Sequence, residues 1–126
     1  SALRKTLILV VDNSFADRET LKTILGEKGY SVVTASTGAE ALARVKEKRF
    51  DIIFLDVSLP DTDGVQLFEQ VKVVDPGVAV IMMTGYLEEE LVRMAISQGA
   101  YTCIYKPFNV NKILSLVGEI SRQRRR

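Results

Sequence analysis

The stretch Phe50-Asp51-Ile52-Ile53-Phe54-Leu55-Asp56-Val57-Ser58-Leu59-Pro60-Asp61-Thr62-Asp63-Gly64 decides the fold. Ile52 to Leu55 is an apolar run of strand length, without the alternation of a half-buried strand. Such a run suits a strand covered on both faces, as in a parallel sheet. Pro60 and Asp61-Thr62-Asp63-Gly64 cannot continue a strand and mark a loop. Asp56 is thereby set where a buried strand opens into a loop. In open α/β sheets that carboxyl edge is where ligands bind. One strand-end aspartate alone is commonly just solvated, so the question is whether other strands bring partners to the same edge.

Working outward, the same unit repeats. Leu7 to Val11 is a first apolar strand that stops at Asp12-Asn13. Ser14-Phe15-Ala16-Asp17 has the form of a capping box opening a helix, with Leu21, Ile24 and Leu25 on its apolar face and Gly29 past its end. Tyr30 to Ala35 predicts a second strand. Thr37-Gly38-Ala39-Glu40 caps a second helix, with Ala41, Leu42 and Val45 inward. Beyond Gly64, Leu67, Phe68, Val71 and Val74 recur at helical spacing, and Pro76-Gly77 closes that helix. Val78 to Met83 is a fourth strand ending at Thr84-Gly85. Glu88, Glu89 and Glu90 favour a helix start through the helix dipole. Leu91, Ala95 and Ile96 are placed inward, and Gly99 is the stop. Tyr101 to Tyr105 is a fifth strand ending at Lys106-Pro107. Ile113, Leu116, Val117 and Ile120 mark a last helix.

Strands alternating with amphipathic helices imply parallel, right-handed crossovers. Five such units predict a single α/β domain over residues 1–126: a doubly wound five-stranded parallel sheet of order 2-1-3-4-5 with five helices, the flavodoxin-like arrangement. Residues 121–126, with Arg122, Arg124, Arg125 and Arg126, form a basic tail or the start of a linker, and no output domain is evident. The chain of 126 residues carries a formal charge of +1, which falls to −3 without those four arginines. No apolar run is long enough to span a membrane. The single Cys103 excludes an internal disulfide and suits a reducing, cytoplasmic compartment. With no histidine in the sequence, a His-based triad and His metal ligands are excluded. Any phosphohistidine in this chemistry must belong to another molecule.

In that sheet order the first and third strands are neighbours, which predicts Asp12 close to Asp56. Thr84 and Lys106 end the fourth and fifth strands on the same edge. Paired carboxylates suit a hard cation such as Mg²⁺. An aspartate can act as nucleophile toward phosphorus, and Mg²⁺, a hydroxyl and an ammonium can neutralise the oxygens of a transferring phosphoryl group.

At these residues the chain resembles the receiver domain of bacterial two-component response regulators, over about Leu7 to Ile120. Four pieces carry the resemblance: VVDN (Val10 to Asn13), LDVSLPDTDG (Leu55 to Gly64), MTG (Met83 to Gly85) and YKPF (Tyr105 to Phe108). It implies Asp56 as phosphoacceptor, Lys106 as a phosphate contact, and Thr84 as a bond to a phosphate oxygen in the active state. Tyr105 would be the switch aromatic, and the Lys106–Pro107 peptide would be cis. Metal ligands would be Asp12, Asn13, Asp56 and the Ser58 carbonyl, with Mg²⁺ as cofactor. Ser58 and Tyr86 would tune hydrolysis, the bulk of Tyr86 prolonging the phosphorylated state. The implied partner is a sensor histidine kinase or phosphotransfer protein, in a phosphorelay rather than as a turnover enzyme. Leu87, Leu91, Val92, Met94 and Ile96 give the fourth helix more apolar surface than one inward face needs, which predicts a partner or homodimer surface on helix four, strand five and helix five. Nucleic acid would be reached only through an output domain.

One departure stands out. The family usually has two adjacent acidic residues after the first strand, whereas here Asp12 is followed by the uncharged Asn13. The expected pocket then has two carboxylates, which predicts weakened Mg²⁺ binding. It also leaves open a receiver-like interaction module in which phosphorylation is weakened or lost.

Overall fold

The computed structural model describes residues 5–85 and 88–124. The elements alternate as expected: β1 (Leu7–Val11), α1 (Phe15–Glu27), β2 (Ser31–Ala35), α2 (Gly38–Glu47), β3 (Ile52–Asp56), α3 (Gly64–Val74), β4 (Ala79–Thr84), α4 (Glu89–Ser97), β5 (Thr102–Tyr105) and α5 (Val110–Arg124). The sheet is parallel, in the order β2-β1-β3-β4-β5.

Alternate residues of the central strands feed two cores. Ile8, Val10, Ile52, Phe54, Ile81 and Met83 meet Leu21 and Leu25 of α1 and Ile113, Val117 and Ile120 of α5. Leu9, Val11, Ile53, Leu55, Val80 and Met82 meet α2, α3 and α4 on the other face. Every residue of β3 is buried, so the central strand shows no polar alternation, and its apolar run has this cause.

Local signals place the helices. Ser14 Oγ accepts from the Asp17 N–H, and Thr37 Oγ1 accepts from the Glu40 N–H. Asp63 caps α3 in the same way, a role the loop composition did not single out. Gly29 and Gly99 follow α1 and α4 with φ of 89° and 106°, where a side chain would be strained.

Four strand and helix details differ from expectation. β2, β4 and β5 each begin one residue later, at Ser31, Ala79 and Thr102. Ile96 is 42% exposed and not inward, because the nine-residue α4 reaches the core only through Ala95, with Leu91 and Val92 packed at its margin. Val74, the last residue of α3, lies outside the core cluster. The basic end is not simply solvated: Arg124 donates to the Gly77 carbonyl at 2.8 Å and pairs with Asp51 at 3.6 Å. Arg125 and Arg126 lie outside the described residues.

Candidate functional site

The register delivers the polar strand ends to one edge. Val11 pairs with Leu55, Asp56 with Met83, and Thr84 with Tyr105. The residues that follow β1 and β5, Asp12 and Lys106, therefore flank Asp56. Gly64 makes the return of the chain possible. A Cβ there would lie 2.5 Å from the Asp56 carbonyl oxygen and 2.6 Å from Val57 Cα, so only glycine lets α3 start this close to the end of β3.

Lys106 is the hub. Its Nζ lies 2.6 Å from Asp12 Oδ2, 2.9 Å from Asp56 Oδ2 and 2.9 Å from Asp17 Oδ2. Asp12 is fully buried. Its Oδ1 accepts from the Ser14 N–H at 2.9 Å, while Oδ2 makes the ion pair without an aligned hydrogen bond. Asp56 Oδ1 accepts from the Ser58 N–H at 2.8 Å. The Lys106 N–H donates to the Thr84 carbonyl at 2.8 Å, which locks β5 to the end of β4. The Lys106–Pro107 peptide is cis. Above these groups opens a cleft of about 610 Å³ lined by Asn13, Asp17, Asp56, Ser58, Thr84, Lys106 and neighbours. That is ample room for a phosphoryl group on Asp56.

Electrostatics follow from burial and pairing. Desolvation pushes the Asp12 carboxyl above its usual range; the close Lys106 ammonium and the Ser14 N–H pull against this, and the nearby Asp56 charge adds to it. Desolvation also works against the Lys106 charge. The close carboxylates of Asp12, Asp17 and Asp56 outweigh it and hold the ammonium well above the ordinary lysine range. Three carboxylates surround one ammonium, so the cleft keeps net negative charge.

Asp12, Asp56 and Lys106 are thus brought together as expected, and Asn13, Ser58 and Thr84 line the same cleft. Tyr105 sits next to Lys106 and is 56% exposed. Tyr86 and Leu87 lie outside the described residues. A carboxylate that the strand ends did not announce, Asp17, also reaches Lys106 from the first turn of α1. Its signal in the sequence was absorbed by the capping box. In the structure the Ser14 N–H is instead taken by Asp12, which leaves the Asp17 carboxylate to Lys106.

The residues present fit a hard divalent cation: the Asp12 and Asp56 carboxylates beside a cleft with open room for water match what Mg²⁺ takes. The buried Asp12 Oδ2, with no aligned hydrogen bond, has unused capacity for such a cation. Among the described residues no three carboxylate, thiol or imidazole side chains are spaced to enclose a metal by themselves, so carbonyl and water ligands would have to complete the shell.

A parallel sheet of this order with an acidic, lysine-bridged cleft at its switch point defines a receiver. The chain belongs to the response regulator receiver domain family, whose profile matches residues 8–118. It is similar to sporulation initiation phosphotransferase F of Bacillus subtilis, 34% identical over 110 residues that make up 87% of this chain and 89% of the relative. It is also similar to the chemotaxis protein CheY of Bacillus subtilis, 32% identical over 113 residues, covering 89% and 94%. The transcriptional regulatory protein ZraR of Klebsiella oxytoca is 31% identical over 112 residues, and there the match spans only 25% of the relative. Among solved structures, a CheY-like receiver domain protein from Methanospirillum hungatei superposes with a TM-score of 0.92 at 33% identity, covering 97% of this chain and 98% of that one. A response regulator from Burkholderia pseudomallei, solved with a phosphorylated aspartic acid and a calcium ion, gives 0.82 at 29% identity, covering 88% and 65%. Among the described residues no helix is long and apolar enough to cross a membrane.

Proposed function

We propose that this receiver accepts a phosphoryl group on Asp56 from a phosphohistidine of a sensor histidine kinase or phosphotransfer protein in the cytoplasm. The P–N bond of the donor breaks and a P–O bond to an Asp56 carboxylate oxygen forms. The imidazole nitrogen leaves with the bonding pair. The observation that carries this reading is the junction at Lys106, where one ammonium touches both Asp12 and the acceptor Asp56 at the floor of an open cleft.

Asp12, Asn13, Asp56 and the Ser58 carbonyl would hold Mg²⁺, which when bound offsets the negative charge gathering on the phosphoryl oxygens. Lys106 neutralises a second oxygen, and the Thr84 hydroxyl donates to a third. The role is that of an acceptor that later loses its phosphate to water, not of a turnover enzyme. By the family resemblance, Ser58 and Tyr86 are the positions whose side chains would control that water. The added charge, about −1.5 to −2, draws Thr84 inward, and Tyr105 turns from its exposed position into the space released. The face of α4, β5 and α5, on which Met94, Ile96 and Tyr105 are exposed, then changes the partner or second copy it binds.

Against the alternative, an interaction module that no longer takes phosphate because of Asn13, stands the retention of Asp56, Thr84 and Lys106 around one cleft. Incubation with acetyl phosphate and Mg²⁺ followed by intact mass tests the reading. The expected result is one phosphoryl group on the parent chain and none on Asp56→Asn. A parent chain that gains nothing overturns it.

A further inference from the structure

Asp17 is not part of the strand-end set that the sequence pointed to, yet it lies as near the Lys106 ammonium as the acceptor does, 2.9 Å in each case. Three observations show that its carboxylate is committed to this contact. It occupies the position of α1 whose carboxylate would ordinarily reach back to the N-cap N–H, but that N–H is taken by Asp12 Oδ1 at 2.9 Å. Its own N–H is held by Ser14 Oγ at 3.2 Å, which fixes where the helix starts and so where the side chain emerges. Its side chain is only 31% exposed although it sits on a helix surface, and it lines the cleft beside Asn13.

We propose that Asp17 is a positioning residue for Lys106, holding the ammonium at the junction of Asp12 and Asp56 and supplying the negative charge that Asn13 does not. The inference rests on the phosphoacceptor reading for its consequence, since Lys106 must be held in place to meet a phosphoryl oxygen. The contact itself stands on geometry. Asp12 and Asp56 approach Lys106 from the ends of β1 and β3, whereas Asp17 approaches from α1. The ammonium is thus held from the helix side as well as from the sheet, with three carboxylates within ion-pair distance.

The test reads the Lys106 ammonium directly, in the full chain, by ¹H–¹⁵N correlation of lysine side chains near neutral pH, with the signal assigned through Lys106→Arg. Held by three carboxylates, the ammonium protons exchange slowly in the parent. Asp17→Asn is expected to speed their exchange about tenfold, as the loss of one charge-assisted hydrogen bond would, and Asp17→Glu to restore most of it. Unchanged exchange in Asp17→Asn, with the remaining spectrum native, overturns the proposal. Should that variant not fold, the Asp17 carboxyl ¹³C signal gives the same answer from the other side. It is expected to move in Lys106→Met and not in Lys112→Met; an unmoved signal in Lys106→Met overturns the proposal. The phosphoacceptor reading fails separately. A parent that takes no phosphoryl group but shows the Asp17 effect removes that reading alone. A parent that takes one while Asp17→Asn exchanges like the parent removes this inference alone.

Discussion

The two ends of β3 carry the same residue in the same state of burial and put it to opposite uses. Asp51, just before the strand, and Asp56, its last residue, are each only 5% exposed. Asp51 faces a closed arrangement: its Oδ2 accepts from the Leu7 N–H at 2.8 Å and its Oδ1 pairs with Arg124 at 3.6 Å, tying the start of the sheet to the end of α5. Thr6 and Ser121 bond beside it at 3.1 Å. Asp56 faces a surplus of its own charge, with three carboxylates on one ammonium under an open cleft. Burial therefore does not distinguish the closed end of the strand from the open one. The balance of neighbouring charge and the presence of open space do.

Variants can break that comparison from either side. The largest effect on stability is expected at the closed end. Asp51→Ala leaves the Leu7 N–H without its acceptor and Arg124 without its carboxylate partner and should cost about 3 kcal/mol in denaturant unfolding, while the folded variant still takes phosphate from acetyl phosphate. A loss of phosphate uptake at equal folding would mean that the two ends are not separate. Gly64→Ala should cost about 2 kcal/mol, because its Cβ meets the backbone at Asp56 and Val57. Unlike Asp51→Ala, it should also impair phosphate uptake, because the backbone that must yield is that of the acceptor.

A pH series separates the ends further. Burial, the main cause, raises the Asp12 carboxyl, so the folded chain keeps that proton to a higher pH than the unfolded chain does. Stability from this group is complete below the unfolded value and is lost as pH rises through the folded one. Asp12→Asn stays neutral, so its stability relative to the parent should grow as pH rises above about 4. A difference that shrinks over that range contradicts the assignment. The smallest effect is expected for Asn13→Asp, which should tighten Mg²⁺ binding by about threefold to tenfold in calorimetric titration. Equal affinities would mean that charge at position 13 does not reach the cation.

Much of this was legible because strong local signals coincide with global ones. The apolar runs at Leu7 to Val11 and Ile52 to Leu55 are continuous since both sheet faces are covered, and that fixed the parallel order and, with it, the meeting of Asp12, Asp56 and Lys106. Ser14, Thr37, Gly29 and Gly99 act within one turn of themselves, so their roles were readable from neighbours alone. Asp17 was not readable in this way. Its spacing from Ser14 satisfies the capping pattern, and only the three-dimensional capture of the Ser14 N–H by Asp12 releases it. Asp51 and Asp61 were hidden for the same reason. Asp61 accepts from the Gly38 and Ala39 N–H groups at 2.8 and 3.0 Å, more than twenty residues away, and nothing in its own loop announces that. Those bonds lower its carboxyl below the usual range.

The central claim is that Asp56, Thr84 and Lys106 close on one phosphoryl group at the carboxyl edge of the sheet. Titrating the chain with beryllium fluoride and Mg²⁺, a stand-in for the aspartyl phosphate, while following backbone and lysine side-chain resonances tests it most directly. Saturable shifts are expected at Asp56, Thr84 and the Lys106 ammonium, spreading into α4 and β5 and absent in Asp56→Asn. Shifts that survive in Asp56→Asn, or that leave Thr84 and Lys106 unmoved, would contradict it.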